Sequence, residues 1–157
     1  MVGGAQVRRL GTWLPDRHLL MVEVLDREGY RLSEVASRAL REYGGLEIPP
    51  ANENGPNFTN DEPLTVDPTL GSGFYALAEK LANELGDDWY PFGEWLSYSS
   101  VFVSTSGWLV ATGLGWIWEF GKSVEESIEF AIMAHRPLRC LKVLTPGAEP
   151  WPPEEWS

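Results

Sequence analysis

The chain reads as an α+β fold, one domain with a central, mainly antiparallel sheet flanked by helices. Three observations predict it. Its 157 residues match one domain, and a chain of this length buries roughly 68–70% of its unfolded surface without staples. Stretches with apolar residues at helical spacing, bounded by cap residues or glycine, precede residue 89 and follow residue 122. Between them the period switches to two. Residues 89–121, WYPFGEWLSYSSVFVSTSGWLVATGLGWIWEFG, hold five of the eight tryptophans in aromatic and β-branched runs cut by glycine.

Along the chain, residues 17–28 carry Leu19, Leu20, Val22, Val24 and Leu25 in a pattern suited to a half-buried helix that stops at Gly29. A second helix is clearer. Ser33 caps it, Val35, Ala36, Ala39, Leu40 and Tyr43 line one face, and Gly44-Gly45 supply the backbone freedom that ends it. Residues 46–48 form a short strand, and residues 49–63, PPANENGPNFTNDEP, an irregular surface loop. After a strand at 64–66, Asp67-Pro68 resembles a helix start, with Phe74, Leu77, Ala78, Leu81 and Leu85 as an apolar stripe ending at Gly86.

Four strands follow, over 89–92, 96–103, 108–112 and 116–120, as an antiparallel meander. Thr105-Ser106-Gly107 makes a tight turn, and Gly113-Leu114-Gly115 another interruption. Ser123 and Glu126 form a capping box for a helix whose buried face is Val124, Ile128, Ala131 and Ile132. A last strand spans 138–143. The domain is assigned to residues 1–144, and residues 145–157, with four prolines and two tryptophans, to a proline-rich C-terminal tail.

Charge is segregated within the net −11. Residues 42–129 hold fifteen carboxylates against Lys80 and Lys122 alone, a net −13, whereas residues 1–41 carry +2 and residues 130–157 are neutral. Such a field repels nucleic acid and anionic membranes and steers basic partners, raising association rates by about 10 to 10³; it also serves plain solubility. Cys140 is the single cysteine, so no internal disulfide or cysteine zinc site forms and a reducing cytoplasm is expected. No segment approaches the ~20 apolar residues of a membrane span, and the glycosylation pattern Asn57-Phe58-Thr59 reads as chance.

Catalytic signatures are missing. There is no GxSxG elbow, no GxxxxGK[ST] loop, no HExxH pair and no calcium loop. His18 and His135 lie in separate regions without a nearby nucleophile or ligand, and Gly71-Ser72-Gly73 lacks the lysine of a phosphate cradle. Adjacent carboxylates at Asp87-Asp88, Glu125-Glu126 and Glu154-Glu155 point in different directions and do not converge on a substrate. Hence no catalytic, cofactor-binding or metal-binding residue is assigned. Trp116, Trp118 and Phe120 share one strand face, either as core or, with other aromatics of the block, as binding anchors. The partner-binding candidates are Asp87, Asp88, Glu94 and Trp95 at the start of the aromatic block, with Glu119 near its end.

The order of landmarks resembles the third family of the SUKH superfamily, the SUKH-3 immunity proteins of bacterial polymorphic toxin systems. The likeness is carried by Gly11-Thr12-Trp13 with Pro15 and Arg17, by Leu40-Arg41-Glu42-Tyr43-Gly44-Gly45-Leu46, and by Asp67-Pro68. Leu85-Gly86 followed by Tyr90-Pro91-Phe92-Gly93-Glu94, and the Gly107 hairpin followed by Gly121 and a helix to Pro137, complete it. It spans residues 10–140. Two departures stand out: Ser104 and Ser106 replace residues that are often acidic in the family, and the aromatic density near Trp116 is high. The resemblance implies the SUKH fold, no catalysis, no cofactor, and neutralisation of a cognate toxin by direct binding, a nuclease being one candidate class. The competing readings are a regulatory interaction module without a toxin partner, as in other branches of the superfamily, and an unrecognised hydrolase whose carboxylates or histidines converge in the fold.

Overall fold

The computed structural model describes residues 6–9 and 15–157, with backbone alone for residue 9 and residues 15–19. The landmark Gly11-Thr12-Trp13 therefore lies outside the described residues, as does the side chain of His18. Strands are β1 (Arg8–Arg9), β2 (Leu46–Ile48), β3 (Leu64–Thr65), β4 (Trp89–Trp95), β5 (Ser99–Ser104), β6 (Leu109–Gly113), β7 (Trp116–Gly121) and β8 (Arg139–Val143). They make one sheet whose strand order is the chain order, and each neighbouring pair is antiparallel. The helices are insertions between strands: α1 (Pro15–Glu28) and α2 (Glu34–Tyr43) between β1 and β2, α3 (Tyr75–Leu85) between β3 and β4, and α4 (Val124–Met133) between β7 and β8. The expected α+β class and its antiparallel sheet are observed.

Local sequence explains the helices. Ser33 accepts the Ala36 amide at 3.1 Å and opens α2, and Ser123 accepts the Glu126 amide at 3.1 Å and opens α4. The other half of the expected capping box is used differently: the Glu126 carboxylate faces Arg136 at 3.7 Å. Arg136 also donates to the Phe120 carbonyl and lies 3.9 Å over the Phe130 ring, locking α4 to β7. The buried face of α4 is Val124, Ser127, Phe130 and Ala131, with Ile128 and Ile132 only half-buried. The face is turned from the expected one because Phe130, the largest side chain of the helix, takes the core position between Phe58, Trp95 and Phe120.

The helix expected after Asp67 is divided. Asp67 does cap a turn, accepting the Thr69 amide at 3.0 Å, but that turn is a 3₁₀ segment over Pro68–Gly71. Glu28 of α1 then accepts Ser72 Oγ at 2.8 Å and the Gly73 amide at 3.0 Å, which fixes a bend before α3 starts at Tyr75. Phe74 is left half in solvent.

A second correction falls in the aromatic block. The break expected after Phe92 is a bulge inside β4, with Pro91 paired to Phe102 and Gly93 to Val101. Gly93 is required because a Cβ there would stand 2.0 Å from the Thr65 carbonyl oxygen of β3. The chain reverses instead at residues 96–98, where Leu96 and Ser97 adopt φ of 55° and 61°. Neither residue type signals a left-handed turn, so the run from Leu96 to Val103 reads as one strand in the sequence.

Loop 49–63 is held by asparagines. Asn60, fully buried, donates to the Ala131 carbonyl at 2.9 Å and to Asn52 at 3.0 Å, while Asn57 exchanges two hydrogen bonds with the backbone of Leu138. The Asn60 bond satisfies a carbonyl in the last turn of α4, and Phe58 within the loop packs on Trp95, ring centroids 5.6 Å apart. At the other edge, Trp116 and Trp118 donate their indole N–H groups to the carbonyls of Glu149 and Trp151, and the Trp151 ring packs 6.0 Å from Trp118.

Candidate functional site

The five predicted partner-binding residues do not form one cluster. Asp87 and Asp88 precede β4, whereas Glu94 lies near its far end, roughly 20 Å away at ~3.3 Å per residue. Trp95 is a correction: its side chain is 0% exposed, packed between Phe58, Phe120 and Phe130, and offers nothing to a partner. It is buried because the Gly93 bulge keeps β4 going and turns Trp95 inward, opposite Ser99.

Asp87 has a structural task. Its carboxylate accepts the hydroxyls of Thr105 and Ser106 and the Ser106 amide at 3.2 Å, pinning the β5–β6 turn. Partial burial pulls its carboxyl upward, but these hydrogen bonds and the Asp88 amide outweigh that and hold it below the ordinary carboxylate range. An acidic residue at position 106 would repel Asp87, so serine suits this chain. Asp88 stays exposed at the mouth of a cleft lined by Tyr30, Tyr75 and Trp89. The Tyr30 hydroxyl in that region donates to the Gly71 carbonyl at 3.0 Å, and burial raises its phenol well above the usual range. The nearby Tyr90 phenol is pushed up to about 12 by burial and by Asp26. Neither phenol can supply a general base near neutrality.

Glu119 is half-buried and lies 3.5 Å from Arg139 across the β7–β8 pair. Glu94 is half-buried and lines a groove of about 380 Å³ that sequence reasoning missed. The groove runs between the start of α3 and two adjacent turns, 96–98 and 114–115. Phe74, Tyr98, Leu114 and Trp116 form its apolar wall. Leu114 is 80% exposed and Tyr98 51%. Asp61 is close enough to Tyr98 that, after burial, it raises the phenol, and Glu62 accepts the Ser97 hydroxyl at 2.5 Å. One sequence signal was available: a leucine between two glycines in a two-residue hairpin turn has no strand face on which to be buried.

Among the described residues, no group of three or more histidine, cysteine or acidic side chains is placed to hold a metal ion. No described helix is long and apolar enough to cross a membrane. His135 is exposed against the edge of Phe130, 6.3 Å between centroids.

Neither a curated protein nor a solved structure matches the chain. The family described as SUKH-3 immunity protein matches residues 9–133. That span takes in every strand from β2 to β7 and all four helices, and leaves β8 and the latch at Trp151 beyond it. The match covers most of the 157 residues, and the chain belongs to the SUKH-3 immunity protein family.

Proposed function

We propose that the chain is an immunity protein of the bacterial cytoplasm that binds a cognate toxin directly and blocks its active site or substrate surface. The toxin face it covers is basic, and a nuclease, whose cleft must attract phosphates, fits that charge best. The observation that carries this reading, beyond membership of the family, is the disposition of the acidic segment. None of the fifteen carboxylates of residues 42–129 is buried, and Lys80 and Lys122 are the only bases in that stretch. Asp88 and Glu94 are the predicted contact residues best placed to meet a partner; Asp87 and Glu119 contribute field while holding a turn and a strand pair.

The purified chain should bind the toxin domain encoded beside its own gene and protect cells that express it. Failure of both binding and protection would remove the reading. Association should slow as salt rises, because the screening length falls to about 8 Å at physiological ionic strength; a rate indifferent to salt would remove the electrostatic part.

A further inference from the structure

We infer that contact with the toxin centres on the groove between the start of α3 and the turns at 96–98 and 114–115, which takes a basic segment presenting an aliphatic or aromatic side chain. The inference rests on the immunity reading and gives it an address.

Shape and exposure come first. The groove opens at the end of the sheet where β4 turns into β5 and β6 into β7, and residues 114–115 hydrogen-bond onward to Leu144 after β8, the Leu144 amide meeting the Gly115 carbonyl at 2.6 Å. Four strands thus hold the rim. Phe74, Tyr98 and Leu114 are among the most exposed large apolar side chains of the described residues, at 48%, 51% and 80%, and all three line this one groove. Clustered apolar exposure of this kind marks an interaction site, whereas scattered exposure does not.

Backbone conformation gives a separate argument. Leu114 has φ 50° and Gly115 φ 98°, the geometry of a two-residue hairpin turn that asparagine or glycine adopts without cost. A leucine there strains the backbone, and at 80% exposure it recovers none of that cost by burial. The unmet contact is supplied by a partner.

Charge selects the partner. Glu94 lines the groove, and Asp61 and Glu62 stand over the adjoining turn. Among the described residues, no lysine or arginine lines it. The cleft beside Asp88 contains Arg31, and the concavity between α2 and α4 contains Arg38 and Lys122. An apolar wall with a rim of carboxylates matches a hydrophobic anchor flanked by basic side chains, and aromatic anchors and arginine are the residues enriched in binding hot spots.

The test is calorimetric titration of the chain with the toxin domain encoded beside its gene, using Leu114→Gly, Tyr98→Ala and Glu94→Gln, with Met133→Ala as an exposed apolar control on α4. Leu114→Gly should melt no lower than the parent chain, since glycine relieves the turn, and should bind at least about 30-fold more weakly. Tyr98→Ala should lose a similar factor, Glu94→Gln should weaken binding and flatten its salt dependence, and Met133→Ala should stay within about threefold. Radical footprinting should show Tyr98, Leu114 and Trp116 protected in the complex. If the parent chain binds and Leu114→Gly and Tyr98→Ala bind equally well, the groove is wrong and the immunity reading stands. If Asp88→Asn abolishes binding while the groove variants keep it, contact lies at the opposite end of the sheet. If the parent chain neither binds nor protects, both proposals fall.

Discussion

The Trp118 indole N–H donates to the Trp151 carbonyl at 2.7 Å, joining the centre of β7 to a residue 33 positions later in the chain. Trp118 is 1% exposed, and the Trp116 indole makes the parallel bond to Glu149. Trp151→Ala should remove the ring that covers both indoles and destabilise the fold by about 2–3 kcal/mol, below the full cost of a buried tryptophan because Trp151 is itself half-buried. Urea denaturation measures this, and tryptophan emission should shift to the red in the folded variant.

Trp95→Ala should unfold the protein more easily without touching any binding surface. Removing a ring enclosed by Phe58, Phe120 and Phe130 costs about 3–5 kcal/mol, which lowers the melting midpoint by roughly 10 °C for a chain of this length. A melt close to that of the parent chain would return Trp95 to the surface.

Gly93→Ala tests the bulge. Its Cβ would meet the backbone of Thr65, which cannot rotate away as a side chain would. We expect a loss of about 3 kcal/mol or more, seen in denaturation, with faster hydrogen exchange in β3.

The Asp87 carboxylate gives the fold a pH signature. Its folded pKa lies below the ordinary value, which is about 3.9, so its contribution is complete above that pH and is lost as pH falls through the folded value. Asp87→Asn should cost about 1 kcal/mol at neutrality, and the gap between variant and parent should begin to narrow below about pH 4 and keep narrowing as pH falls. Chemical denaturation at pH 7 gives the full gap, and a descending series below about pH 4 follows its loss.

Much of this fold is legible in the sequence, and the exceptions have physical causes. Ser33, Ser123 and the glycines after Glu28 and Tyr43 mark helix ends because capping is local chemistry. The Gly107 turn is legible for the same reason. The turn at Leu96 and Ser97 is hidden because it is imposed by strand pairing on residues that do not ask for it. The fate of the tryptophans is decided by tertiary contacts: Trp95 alternates onto the core face only once the bulge at Gly93 is counted, and Trp118 is closed off by a tail that sequence periodicity leaves unplaced. Among the candidate contact residues the acidic character is legible, but not the division of labour, since only the fold reveals that Asp87 is occupied by Ser106 and Glu119 by Arg139. The groove escaped because its wall is assembled from α3, β4–β5 and β6–β7, whose adjacency no spacing rule encodes.

Strand order that equals chain order has a kinetic consequence. Each strand pairs with its neighbour in the chain, so the sheet can grow outward from whichever hairpin forms first and no strand waits for a distant segment to close it. The helical insertions lengthen three of those closures, which costs only a fraction of a kcal/mol for each doubling of the loop, about 0.6. Assembly of the β4 to β7 hairpins, with turns of two to four residues, should therefore lead and the terminal strands follow, leaving the rim formed by turns 96–98 and 114–115 among the first parts of the surface to take its final shape.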